Sequence, residues 1–309
     1  MASSIFEFFG FRPGDNSLIA REHASKLLCP ILNNSCEKSL NDGKRSGVCS
    51  LKPKTSGPVI CCPIRLYAEN YKLLADVSLT AFGKGYKLVP SREALSYVSK
   101  YKEPIIAVFG KKWGREIRLP QKSGNGGYFV DWVLAKINTD FALEEFIAVE
   151  VQAIDSTGNY RNGITALELN RDVIQTSAGL NWENVSKRII PQLIYKGQVL
   201  QREELCKKGL FFVCPEPVMN KILNRLGGLD GLIKYSLQPA SITFVSYNYV
   251  DIKSDRFGEV LPLVQTSNHT TTVYKLQEAF NNVSLPVENV YRTEIIKALE
   301  ESKLNYSLF

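Results

Sequence analysis

Two segments separated by only eight residues, 127–137 (GYFVDWVLAKI) and 146–154 (FIAVEVQAI), have the β-branched, apolar make-up of strands. So short a connection allows the two to pair side by side. Side chains alternate across a strand, so Glu150 and Gln152 share one face while Val149 and Val151 take the other. Pairing through residues 138–145 brings Asp131 of the first strand towards Glu150 of the second. A sheet interior ordinarily takes apolar side chains at such positions, and two carboxylates brought together suit one hard divalent cation. The reading is metal-assisted phosphodiester cleavage.

The charge balance agrees with a polyanionic partner. Lys and Arg outnumber Asp and Glu by 38 to 31, a formal +7. The basic residues Lys111, Lys112, Arg115, Arg118 and Lys122 fall in one stretch opposed only by Glu116, which suits phosphate contact and equally a solvated loop. No apolar run is long enough to span a bilayer, and the first residues combine neither a basic leader nor a long apolar core, so a cytoplasmic, reducing setting is expected.

That setting governs the cysteines. Five of the seven lie between Cys29 and Cys62, in a segment rich in Asn, Ser, Gly, Lys and Pro with little apolar periodicity of its own. Four thiolates around one tetrahedral ion would supply the folding energy such a segment lacks, where disulfides would not persist. Cys29, Cys36, Cys49 and Cys62 are the expected ligands, with Cys61 as the alternative to Cys62. The ion is iron or zinc, which four sulfurs do not distinguish. Free, partly buried thiols are the plainer alternative. Cys206 and Cys214 read as small buried residues, the latter following the apolar run 210–213.

With 44% hydrophobic residues the chain can bury a substantial core. Residues 1–75 are expected to form an N-terminal segment with the cysteine element, and 76–309 a catalytic and DNA-binding domain. Helical spacing appears at 16–28, 92–100, 182–200 (interrupted at Pro191), 217–226 and 271–304 (divided at 284–286). Strands are expected at 104–110, 210–213 and 241–250, a tight turn at 123–127, and a polar loop at 155–161. The fold class is α/β in the mixed α+β sense: a central mixed sheet flanked by helices, with the small four-cysteine element at its N-terminal side.

The four-cysteine element closed by 59–65 (VICCPIR), the Val130-Asp131-Trp132 strand and the segment 150–161 (EVQAIDSTGNYR) occur in an order that resembles the NotI type II restriction endonucleases. The likeness covers most of the chain. It implies a PD-(D/E)xK nuclease core in which Asp131, Glu150 and Gln152 occupy the acid, acid and lysine positions. Glutamine thus stands where lysine is usual; it carries no charge, but its amide can orient water or a phosphate oxygen. The resemblance further implies Mg2+ on Asp131 and Glu150, and a homodimer cutting double-stranded DNA at a palindromic, G/C-rich site. It also implies a cognate DNA methyltransferase sharing that site in a restriction-modification system. Neither His23 nor His269 is near these motifs, so solvent activated by the cation is the expected base. Asn159, Tyr160 and Arg161 are candidate DNA-facing residues. Two competing readings are a non-catalytic DNA-binding protein stabilised by its cysteine-bound metal and a repair or structure-specific nuclease. The carboxylate face speaks against the first, because unneutralised acids repel phosphate.

Overall fold

The computed structural model describes residues 2–119, 128–250, 256–282 and 287–306. Lys122, the turn expected at 123–127 and the break expected at 284–286 lie outside the described residues.

The chain builds a mixed seven-stranded sheet from β4 (Lys87–Pro90), β5 (Ile105–Gly110), β6 (Trp132–Ile137), β7 (Leu143–Val151), β8 (Leu210–Pro215), β9 (Ser241–Tyr249) and β10 (Leu263–Thr272). The strands lie across the sheet in the order in which they occur along the chain. β6 pairs antiparallel with both β5 and β7, β7 and β9 flank β8 in parallel, and β10 returns antiparallel to β9. A smaller three-stranded sheet joins β1 (Ser3–Phe8), β2 (Val48–Pro53) and β3 (Val59–Ile60).

Alternation divides the large sheet into two apolar faces. Trp132, Leu134, Ile147, Val149, Val151, Phe211 and Val213 pack with Leu73, Leu74 and Val77 of helix α2 (Ala68–Phe82). Val133, Ala148, Phe212 and Phe244 pack on the other side, where helices α5 (Ile190–Leu200), α6 (Glu216–Arg225) and α7 (Val273–Asn281) supply Leu193, Ile222 and Leu276. Ile5, Val48 and Leu51 of the small sheet join this second cluster, so the N-terminal strands share an apolar core with the large sheet. Residues 75 and 76 both fall inside α2. Among the described residues no helix is long and apolar enough to cross a membrane.

Local signals explain most of the elements. Helix α1 (Leu18–Ser25) starts where the Ser17 hydroxyl accepts the Ala20 amide. The helical run expected at 182–200 is present and changes its winding where the interruption was expected: residues 185–189 form a π-helix that leads straight into α5, and Pro191 sits in the first α-helical turn. α3 (Ala94–Tyr101) agrees with the periodicity at 92–100. β1–β4 and α2 lie where no element was expected, and two further elements differ from expectation. Arg161, read as the end of a polar loop, opens α4 (Arg161–Asn170), and Thr271 and Thr272 belong to β10, with the helix beginning only at Val273. The Thr272 hydroxyl caps that helix by accepting the Lys275 amide. The last helix is α8 (Val290–Tyr306).

The small sheet is tied to the large one by a buried charge cluster. Arg65 Nε lies 2.9 Å from Glu7 Oε1, and both side chains are fully buried. Glu7 Oε2 accepts from the Ser50 and Tyr249 hydroxyls, while Arg65 Nη2 donates to the Leu261 carbonyl. Ionised groups taken out of water are tolerated only when paired and hydrogen-bonded in this way.

Candidate active site

In the β6–β7 ladder Trp132 faces Val149, so one step further Asp131 lies beside Glu150. The Val151 amide donates to Asp131 Oδ2 at 2.8 Å, fixing the acid across the end of the ladder. Asp131 keeps an exposed edge, yet its carboxyl group is packed among protein atoms. This desolvation holds it above the ordinary carboxylate range, against the Val151 amide and Lys196, which favour the charged form. Glu150 is more enclosed, its side chain 13% exposed. Desolvation and then the neighbouring Asp131 charge push it up to about 7, and Lys196 pulls the other way. Its Oε2 is buried without a hydrogen-bond partner. An orphaned carboxylate oxygen beside a second carboxylate is the donor set a hard divalent cation takes, so these residues fit such an ion.

The opposite face of the same strand end is aromatic. Trp132 is buried and donates its indole N–H to the Tyr67 hydroxyl at 3.1 Å. Burial, then Asp131 and Glu150, hold the Tyr67 hydroxyl well above the usual phenol range, so it stays protonated. The indole lies directly over Gly110, where an added Cβ would come within 2.3 Å of the ring. Gly110→Ala is therefore expected to cost about 1–3 kcal/mol by overpacking, read in urea unfolding, and to displace the ring next to Asp131.

Glu150 and Gln152 share the face turned to α5, as alternation requires, but the Gln152 amide is bonded to the Ala153 carbonyl at 3.2 Å. The residue that does touch the pair was not foreseen. Lys196 of α5 places Nζ 2.6 Å from Glu150 Oε1 with its side chain 7% exposed. Its signal was its position: Leu193, Gly197 and Leu200 make the buried stripe of α5, and Lys196 lies on that stripe, where a solvated lysine does not belong. The two histidines are elsewhere, His23 against the Leu28 carbonyl and His269 against that of Leu232.

Beyond Gln152 the chain runs along the cysteine segment. Lys38, Asn41, Cys61 and residues 155–161 line an open cleft of about 550 Å³. Tyr160 is buried with its hydroxyl 3.3 Å from Ser46 Oγ, which makes it an anchor between the two segments; Asn159 and Arg161 are exposed, the latter paired with Asp42. Of the basic stretch, Lys111 and Lys112 reach Glu37 at 3.7 and 3.1 Å.

Cys29, Cys36, Cys49 and Cys62 are all buried and line one enclosed cavity of about 10 Å³, room for a single water-sized atom. Burial raises the Cys29, Cys49 and Cys62 thiols, Cys62 to about 12, and each also feels a neighbouring sulfur of the quartet. Cys61 does not line this cavity; its sulfur turns to Lys38 Nζ at 3.2 Å. Among the described residues no three His, Cys, Asp or Glu groups are drawn together closely enough to grip an ion as they stand. Binding at the usual metal–sulfur distance of about 2.3 Å therefore requires the quartet to contract inwards. Cys206 and Cys214 are buried singly, as expected.

The family model described as restriction endonuclease NotI matches residues 15–224, a span that includes the carboxylate pair, Gln152, Lys196 and the cysteine quartet. That places the protein in the class of site-specific type II endonucleases, hydrolases acting on double-stranded DNA. Within this class the chain belongs to the NotI restriction endonuclease family. No curated protein matches it.

Proposed function

We propose that the protein hydrolyses the phosphodiester bonds of duplex DNA at a carboxylate centre made by Asp131 and Glu150, with Mg2+ as its cation, in the manner of a PD-(D/E)xK nuclease. The observation that carries this is the adjacency of the two acids with Glu150 Oε2 left unpartnered. Asp131 and Glu150 would hold the cation, which when bound acidifies water and neutralises charge building on the phosphate. The Val151 amide keeps Asp131 in place, and Gln152, once its amide leaves the Ala153 carbonyl, is within the same face to orient water or a phosphate oxygen. The target is a palindromic, G/C-rich sequence cut by a homodimer, since a two-fold protein matches a two-fold site. A methyltransferase of the same specificity protects the host DNA in the cytoplasm. Incubation with a large DNA of known sequence tests this: discrete fragments in Mg2+ and intact DNA in EDTA are expected. Binding without cleavage in Mg2+, on DNA free of modified bases, would leave a DNA-binding protein instead.

The N-terminal segment, residues 1–75, is read as a structural element built on iron or zinc held by Cys29, Cys36, Cys49 and Cys62. Convergence of four buried cysteines on one atom-sized cavity supports this set, with Cys61 outside it. Purified protein is expected to carry about one equivalent of metal by elemental analysis. Cys49→Ala should lose most of it and unfold at a lower temperature, while Cys61→Ser and Cys206→Ala keep it. Retention of metal by Cys49→Ala would refute the quartet.

A further inference from the structure

Above the pH at which Glu150 gives up its proton, two carboxylates facing a polyanion leave a local charge of −2 unless something offsets it, and Gln152 on the same face has no charge to offer. We infer that Lys196 is the positioning residue of the centre: it ties down Glu150 Oε1, leaves Oε2 as the oxygen free for a ligand, and lowers the charge presented to the phosphate to −1. This rests on the carboxylate reading above.

The geometry carries it. The 2.6 Å contact to Oε1 accounts for one Glu150 oxygen, and the other is buried and orphaned, so the two oxygens of a single carboxylate have been assigned different partners. A lysine buried to this extent is costly to desolvate, and among the described residues Glu150 is its only ion-pair partner. Its neighbour Gly197 brings α5 against α7 so closely that a Cβ there would lie 2.9 Å from Val273 Cγ2. The helix is therefore locked at the height that delivers Nζ to Glu150. Other charged groups around the pair are Asp131 itself and Glu116, which raises Asp131 further and so adds to the negative charge that Lys196 offsets. The Tyr67 hydroxyl, protonated on the far side, adds none.

The test is a charge cycle read without any metal, together with cleavage in Mg2+. In EDTA at about pH 9, where both acids are ionised, Lys196→Met is expected to bind duplex DNA at least fivefold more weakly than the parent, because the centre returns to −2. Lys196→Met/Glu150→Gln, which is again −1, should recover parental affinity. In Mg2+, Lys196→Met should cleave at least about a hundredfold more slowly under single turnover, with its melting temperature recorded alongside. Lys196→Met/Gln152→Lys returns a positive charge to the same face and should regain at least tenfold of that loss, and this variant also serves if Lys196→Met alone does not fold. A folded Lys196→Met that cuts at the parental rate, or EDTA affinities indifferent to the cycle, would overturn the inference, as would a folded Lys196→Met/Gln152→Lys protein no faster than Lys196→Met. If Glu150→Ala also cuts normally, the carboxylate reading itself has failed; if Glu150→Ala is dead while Lys196→Met is normal, only the role of Lys196 has.

Discussion

Asp131→Asn and Glu150→Gln should each reduce Mg2+-dependent cleavage by about 10³-fold or more, a loss equivalent to about 4 kcal/mol of transition-state stabilisation. Both variants should still fold, because each replaces an oxygen by an amide nitrogen of the same size. In Asp131→Asn the side-chain amide carbonyl can go on accepting the Val151 amide that Asp131 Oδ2 accepts now. Both should also bind duplex DNA in EDTA at least as tightly as the parent, since each removes a negative charge that repels phosphate. Cleavage and binding thus move in opposite directions, which no unfolding effect produces. Parental cleavage by Glu150→Gln would remove the basis of the proposed centre. The pH dependence follows from the same residue. In the metal-free protein Glu150 holds its proton up to about 7, whereas an unfolded glutamate near 4.5 releases it earlier. The stability this contributes is complete below 4.5 and is lost as pH rises towards 7. A cation that replaces the proton must therefore stabilise the protein more at pH 8 than at pH 5, and the rise in melting temperature on adding Mg2+ should show this gradient in the parent and lose it in Glu150→Gln.

The second large effect belongs to the buried pair of Glu7 and Arg65. Arg65→Met leaves Glu7 fully buried with only the Ser50 and Tyr249 hydroxyls as partners, and Glu7→Gln removes the counter-charge of Arg65, leaving it a neutral amide oxygen and the Leu261 carbonyl as acceptors. Each is expected to cost about 3–5 kcal/mol in denaturant unfolding, because the remaining ion is left without compensation. Replacing both by apolar residues of similar volume should return much of that loss. Arg65 also lines the cysteine cavity, so Arg65→Met should lower metal content as well as stability, whereas Glu7→Gln should act mainly on stability. Costs below about 1 kcal/mol for both single variants would show that water reaches this cluster.

The parts of this arrangement that could be read from the sequence are those fixed by short-range pattern. The alternation of Val149, Glu150, Val151 and Gln152 put Glu150 and Gln152 on one face, the eight-residue connection allowed Asp131 to approach Glu150, and the β6–β7 ladder places the two acids side by side. Apolar runs gave β5, β8 and β9 for the same reason. β10 was lost because LVQTSNHTTT carries Thr, Ser and Asn on an edge strand with one neighbour, where packing demands little apolar surface. The start of α4 was lost because Tyr160 gives it no side-chain cap. Lys196 lay beyond short-range pattern altogether, being brought to Glu150 by helix packing from forty-six positions away. Only its place on an apolar stripe marked it as unusual.

The tie between Glu7 and Tyr249 spans 242 positions of chain. The strands of the large sheet follow one another in order, so each can add to its predecessor as the ribosome delivers it. Glu7 has Ser50 and Arg65 close by in the chain, but the hydroxyl of Tyr249 and the carbonyl of Leu261 that complete the cluster come from far later in it. The charge cluster is consequently completed last, when β9 and the segment after it reach a Glu7–Arg65 pair that the small sheet already holds.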